Sequence, residues 1–133
     1  MSKAFLDANI VLDFLDGKRR FHNETVKAIG HLVSMEYELV ISEDMLTTIY
    51  YVLKDKNIAL QFLTMVVDQW QIVSFGHEVI KDALQLCTAD PSLDLEDVLQ
   101  ALVAKASDCD LILTNDAGFY QCGLVTRHSA ELV

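Results

Sequence analysis

Short apolar runs alternate along this chain with longer stretches whose apolar residues recur at helical spacing. Ala4-Phe5-Leu6, Leu39-Val40-Ile41, Ile72-Val73-Ser74-Phe75 and Leu111-Ile112-Leu113 read as strands, and Leu124-Val125 as a short fifth. Their nearly unbroken apolar character is that of strands buried on both faces. Helices fall between them. Ile10, Val11, Phe14 and Leu15 define the first, which Asp16-Gly17 stops. Phe21 to Met35 is the second, with His22, Val26, Ile29 and Val33 on one face. Ser42 is suited to cap a third that carries Met45, Leu46, Ile49, Tyr50 and Leu53. A fourth runs from Ile58 to Asp68, with Leu60, Leu63 and Val67 inward, and Val79, Ile80, Ala83, Leu84 and Cys87 mark a fifth beyond Gly76. After a turn at Ala89-Asp90-Pro91-Ser92, Asp94 caps a sixth helix whose predicted buried face is Val98, Leu99, Leu102, Val103 and Ala106.

Strands alternating with helices predict an α/β fold, a three-layer α/β/α sandwich around a central parallel sheet of four to five strands with right-handed crossovers. At 133 residues the expectation is one domain over 1–133. Ligands of such sheets bind outside the carboxyl ends of the strands, where the strand order switches direction. Asp7 and Asp116 stand at two predicted carboxyl ends. That placement, more than their charge, makes them candidates.

Composition narrows the classes. Hydrophobic residues at 52% and charged residues at 23% exclude a disordered chain. No apolar run approaches the roughly 18 residues a membrane span needs. Asp7 also cuts the first run too short for a secretion signal, so a cytoplasmic location is expected. Cys87, Cys109 and Cys122 are odd in number and widely spaced, as expected of reduced thiols. His22, His31, His77 and His128 are scattered, without a zinc-binding spacing. The net charge of −10 argues against a general nucleic-acid coat. It leaves room for an enzyme acting on nucleic acid, because a bound divalent cation cancels local charge and a small basic rim can hold phosphates. The one basic cluster, Lys18-Arg19-Arg20, follows the helix that begins beside Asp7. It is a candidate substrate rim, and otherwise a solvated loop.

The stretch Asp94-Leu95-Glu96-Asp97 sets three carboxylates in four positions at the start of a helix. Alone, it would simply cap that helix. With Asp7 and Asp116 brought to the same place, the acids would repel one another and raise each other's pKa unless a cation lay between them. Oxygen-only donors select hard ions such as Mg²⁺ or Mn²⁺. Such ions promote phosphodiester hydrolysis by acidifying water and offsetting charge on the phosphate. The residues themselves establish an acidic metal site and no more.

Three segments carry a resemblance: Phe5-Leu6-Asp7-Ala8-Asn9-Ile10-Val11-Leu12-Asp13-Phe14, then Asp94 to Ala101, then Leu111-Ile112-Leu113-Thr114-Asn115-Asp116. In order, spacing and overall length they resemble the signatures of the PIN domain family, across essentially the whole chain. The resemblance implies strand order 3-2-1-4-5 and a Mg²⁺- or Mn²⁺-dependent endoribonuclease of single-stranded RNA. Carried over by position, Asp7, Asp97 and Asp116 are the catalytic metal ligands, and Asp94 and Glu96 are auxiliaries. Asn9 and Thr114 shape the pocket. The small VapC-like members are commonly toxins paired with an antitoxin protein, and commonly homodimers. In one place this chain departs from the family. Where the helix after the second strand usually carries a Glu, Thr48 stands before Ile49-Tyr50-Tyr51. Glu43 lies about 140° away around that helix and is poorly placed to substitute. Thr48 brings no charge, so a weakened domain that only binds nucleic acid or protein is the alternative. Tyr50 is expected in the core and Tyr51 at the surface or a dimer contact. A phosphoryl-transfer domain of receiver or dehalogenase type fits less well: Asn9 stands where a dehalogenase needs a second Asp, and no Lys ends a late strand.

Overall fold

The computed structural model describes residues 1–132. Five strands form one sheet: β1 (Lys3–Leu6), β2 (Glu38–Ser42), β3 (Gln71–Val73), β4 (Leu111–Leu113) and β5 (Val125–Arg127). Their order is β3-β2-β1-β4-β5 and every neighbouring pair is parallel. Six helices surround it: α1 (Ala8–Leu15), α2 (His22–Ser34), α3 (Met45–Val52), α4 (Lys56–Gln69), α5 (Gly76–Ala89) and α6 (Leu95–Ala106), with a 3₁₀ turn at Ser129–Leu132. The predicted architecture and strand order are those observed. No helix among the described residues is long and apolar enough to cross a membrane.

β1 is the centre of the core. Ala4, Phe5 and Leu6 are fully buried, flanked by Val40 and Ile41 of β2 and by Ile112 and Leu113 of β4. The chain runs from β1 outward to β2 and β3, then returns to place β4 on the other side of β1. The carboxyl ends of β1 and β4 are therefore the switch point, where the sheet leaves a crevice. Asp7 immediately follows β1 and caps α1, its carboxylate accepting the Asn9 N–H at 3.3 Å.

The helix faces differ from those predicted. In α2 the buried residues are Thr25, Ala28, Ile29 and Leu32, while Val26 and Val33 are exposed. In α4 they are Ala59, Phe62 and Val66, while Leu60 and Val67 are exposed. In α5 only Ala83 is fully buried, with Ile80 and Leu84 at the surface. In α6 the buried set is Val98, Gln100, Ala101, Val103 and Ala104; Leu99 and Leu102 are half-buried and Ala106 is exposed. The physical reason is common to all four. Ala28, Ala59, Ala83, Ala101 and Ala104 are completely buried, so small residues sit where helices come closest to their neighbours. Branched residues to either side are turned outward. A pattern weighted by size finds the flanks of the stripe and misses its centre.

One helix start also differs. Ser42 is the last residue of β2, and α3 begins only at Met45. Helices α2 and α6 end without glycine: Glu36 and Asp108, just beyond them, both take a φ of 61°. The left-handed residue that closes such helices is most often glycine.

Candidate active site

Asp7 is held hard at the crevice floor. It is 3% exposed, its N–H donates to the Leu113 carbonyl at 3.1 Å, and its Oδ2 accepts the Thr114 hydroxyl at 2.8 Å. The same hydroxyl oxygen accepts the Asp116 N–H at 3.1 Å. Thr114 thus ties the acid ending β1 to the acid following β4. Asp116 is steadied further by the Gly118 N–H, which donates to its Oδ1 at 2.8 Å. Across the crevice lies the N-terminus of α6. Asp94 caps it, accepting the Asp97 N–H at 3.1 Å, and Glu96 accepts from the Gln100 amide at 3.4 Å.

Asp97 lies within electrostatic reach of the other four predicted ligands. Burial raises the Asp7 carboxyl above its usual range; the bond from Thr114 and the backbone N–H groups oppose this, and Asp116 adds to it. Burial also raises Glu96, with the charges of Asp44, Asp7 and Asp94 adding to it. Asp97 is pushed up to about 7, first by burial, then by Asp7, Asp94, Asp116 and Glu96 in turn. Asp97 therefore feels every other predicted ligand.

This donor set fits a hard divalent cation. It is all oxygen, and its members repel one another. Among the described residues the only ion pair is Arg19–Asp13, so none of the five acids has a basic partner. Among the described residues no three acidic, histidine or cysteine side chains stand close enough together to grip one ion.

Beside the mouth is a polar network that the sequence did not announce. Asp13 is 4% exposed. Its carboxylate accepts from Arg19 Nε at 2.7 Å and Asn115 Nδ2 at 2.8 Å. Asn115 Nδ2 also donates to the Thr25 hydroxyl at 3.1 Å, and its Oδ1 accepts the Ser129 hydroxyl at 2.7 Å and N–H at 2.9 Å. These bonds fasten α1, α2, the turn after β4 and the C-terminal 3₁₀ turn together directly behind Asp116. A signal was available: Asp13 interrupts the apolar stripe of α1, and a polar residue on a buried face is the informative kind.

The basic cluster divides. Arg19 and Arg20 line a cavity of about 390 Å³ with Asn9, Asp13, Phe21, Asn115 and Asp116. Arg19 also reaches the Asn9 side chain at 3.5 Å, and Arg20 lies over the Phe21 ring. Lys18 lines a different cleft, with Leu15, Val52, Leu53 and Ile58. Thr48 is half-buried on α3, and its hydroxyl turns back to the Asp44 carbonyl at 3.4 Å. Glu43 faces away, accepting the Ser74 hydroxyl beside β3 at 2.6 Å.

Residues 4–123 match the family model described as PIN domain. The chain belongs to the PIN domain family. Within that family it is 40% identical over 121 residues to Ribonuclease VapC1 of Aquifex aeolicus, an alignment covering 89% of this chain and 84% of the relative. Two solved structures share the PIN fold over nearly their whole length. One is VapC20 of Mycobacterium tuberculosis, described as a sarcin-ricin loop cleaving toxin. Its TM-score is 0.74 at 11% identity, covering 92% of this chain and 97% of that one. The other is a toxin-antitoxin complex from Klebsiella pneumoniae, with TM-score 0.72 at 17% identity, covering 96% and 98%.

Proposed function

We propose that this PIN domain is an endoribonuclease that hydrolyses phosphodiester bonds of single-stranded RNA with Mg²⁺ or Mn²⁺, in the cytoplasm. The observation that carries the reading is that Thr114 ties the Asp7 carboxylate to the Asp116 backbone, that Asp97 feels the charge of both, and that none of the three has a basic partner. Asp7, Asp97 and Asp116 would hold the ion, with Glu96 and Asp94 as auxiliaries. When bound, the ion would acidify water and offset the charge growing on the phosphate. Thr114 keeps the Asp7 and Asp116 segments in register, and Asn9 shapes the wall. Arg19 and Arg20 supply the positive edge on which the RNA backbone rests. Lys18, beside them in sequence, lines the neighbouring cleft. The name of the 40% identical relative supports the ribonuclease reading.

The decisive experiment is cleavage of a single-stranded RNA by the purified protein. EDTA is expected to abolish it and excess Mn²⁺ to restore it. Cleavage at an undiminished rate in EDTA would reject the metal-dependent mechanism. The alternative, a binding module without catalysis, is favoured by Thr48 and requires that the crevice take up no Mn²⁺ at all in calorimetry.

We further read the protein as the toxin of a toxin–antitoxin pair and as a homodimer. The Klebsiella complex supports the first. The second rests on apolar side chains left at the surface around β2 and β3: Tyr51 and Val52 on α3, Leu60 and Val67 on α4, Ile80 and Leu84 on α5. Tyr51 is 75% exposed, as its position off the apolar face predicts, whereas Tyr50 is only half-buried. Light scattering is expected to give twice the chain mass, and Leu84→Asp to halve it. A monomeric mass for the unaltered protein rejects the dimer.

A further inference from the structure

Asp13 is a buried carboxylate to which the hydrolysis itself gives no part. It is 4% exposed, and its two oxygens hold different elements. Oδ2 accepts from Asn115, in the turn that also carries Asp116, and Oδ1 accepts from Arg19 Nε at 2.7 Å. The main chain of Arg19 is fixed as well. Its N–H donates to the Asp16 carbonyl and its own carbonyl accepts the His22 N–H, each at 3.1 Å. One carboxylate thus ties the loop after α1 to the turn beside the acids.

This is not the bond that would join two segments most firmly. A guanidinium pairs most strongly with a carboxylate through two parallel N–H groups. Here Asp13 takes Nε alone, because its second oxygen serves Asn115. Arg19 Nη2 comes only within 3.5 Å of Asn9 Oδ1, and Nη1 has no hydrogen-bond partner among the described residues. A buried ion pair is in itself weak evidence of stabilisation. What this one achieves is direction: the guanidinium is held by one nitrogen while its two-nitrogen end stays available.

A cavity of about 390 Å³ receives that end. Arg19 lines it together with Asn9, Arg20, Asn115 and Asp116, and the Arg19 side chain is 33% exposed. The volume is within the range of small-ligand sites. Arg20, lying over the Phe21 ring, adds a positive charge with no carboxylate partner among the described residues. Two fixed N–H donors beside a free positive charge suit the oxygens of a phosphodiester. Asp116 is both a wall of this cavity and one of the acids read above as metal ligands. A phosphate in the cavity therefore lies next to the one being cut, not in its place.

We propose that this cavity is a subsite for the phosphate adjacent to the scissile one along the RNA chain, gripped by Arg19, and that Asp13 is the positioning residue that aims Arg19 at it. The inference rests on the ribonuclease reading above and adds a demand on the substrate. The RNA must continue beyond the cut, so a dinucleotide with a single phosphate is a poor substrate.

The test is cleavage, with Mn²⁺, of a short single-stranded RNA with one cut site, and of the same RNA with a neutral methylphosphonate replacing each neighbouring phosphate in turn. In the unaltered protein one replacement beside the cut should lower kcat/KM by about tenfold, through KM. Arg19→Gln and Asp13→Asn should cleave the unmodified RNA less efficiently by a similar factor and be indifferent to that replacement. Arg19→Lys keeps the charge but has no Nε for Asp13 to hold, and should behave like Arg19→Gln. Circular dichroism and urea unfolding check each fold; if Asp13→Asn does not fold, the two Arg19 variants decide. Equal slowing of the charged and neutral RNAs by Asp13→Asn would show a merely structural residue and overturn the positioning role. So would an Arg19→Lys protein that keeps the sensitivity. If no replacement beside the cut matters in the unaltered protein, the subsite is absent and the ribonuclease reading stands. No cleavage of any RNA would remove both.

Discussion

Asp97→Asn is expected to lower RNA cleavage by about a thousandfold or more and to leave the fold intact. The change keeps the side chain's shape and removes the carboxylate that feels Asp7, Asp94, Asp116 and Glu96 together. The Asp97 N–H that Asp94 caps is a backbone group and is untouched. The same substitution has a second signature in metal-free protein. The Asp97 pKa is raised to about 7, so its contribution to stability is fully present below the ordinary carboxylate pKa and is lost as pH rises through 7. The directions for Asp7 and Glu96 carry the same sign. In EDTA the unaltered protein should therefore melt at a lower temperature at pH 8 than at pH 5.5. After allowance for solvent screening, the Asp97 share is on the order of 1 kcal/mol, a few degrees in midpoint. Asp97→Asn should melt higher than the unaltered protein at pH 8 and show a flatter dependence. Ion uptake must displace the proton, so Mn²⁺ affinity should fall as pH drops below 7. Scanning calorimetry in EDTA and single-turnover cleavage check the two parts. Cleavage at the unaltered rate would remove Asp97 from the site.

Phe5→Ala is expected to cost about 3–5 kcal/mol. Phe5 is fully buried in the central strand, with Val40 beside it on β2 and Ile112 on β4. Nothing there can collapse without shifting three strands at once. Against the roughly 5–15 kcal/mol that holds a typical domain together, such a loss removes much of the total. Asp7 lies two residues further along the same chain, so the loss should also reach the crevice. Urea unfolding followed by circular dichroism measures it, and a change below about 1 kcal/mol would show that the core is far more plastic than its burial implies.

The polar network around Asn115 fastens the side of the site that carries Asp116. Asp13, Thr25 and Ser129 hold Asn115, and with it the turn after β4, from three directions. On the β2 side the fastening is lighter, resting on Ser42, Asp44 and the Gln100–Glu96 contact. The family's usual acid is missing on that lighter side.

The amino-acid sequence by itself determined the strands, the fold class and the three segments that carry Asp7, Asp97 and Asp116. Strand identity is a matter of local apolar runs, and the acids stand at their ends or at a helix start, so short-range pattern is enough. The faces of α2, α4, α5 and α6 were only partly legible, because alanine carries little signal yet marks the closest packing. Only the tertiary structure decided that Asp13 and Asn115 meet across 102 residues, that Lys18 lines a different cleft from Arg19 and Arg20, and that Asp44 takes the Ser42 hydroxyl instead of capping its helix. Each depends on which polar atoms are left without partners once the sheet has closed. That is a property of the assembled molecule and of no segment alone.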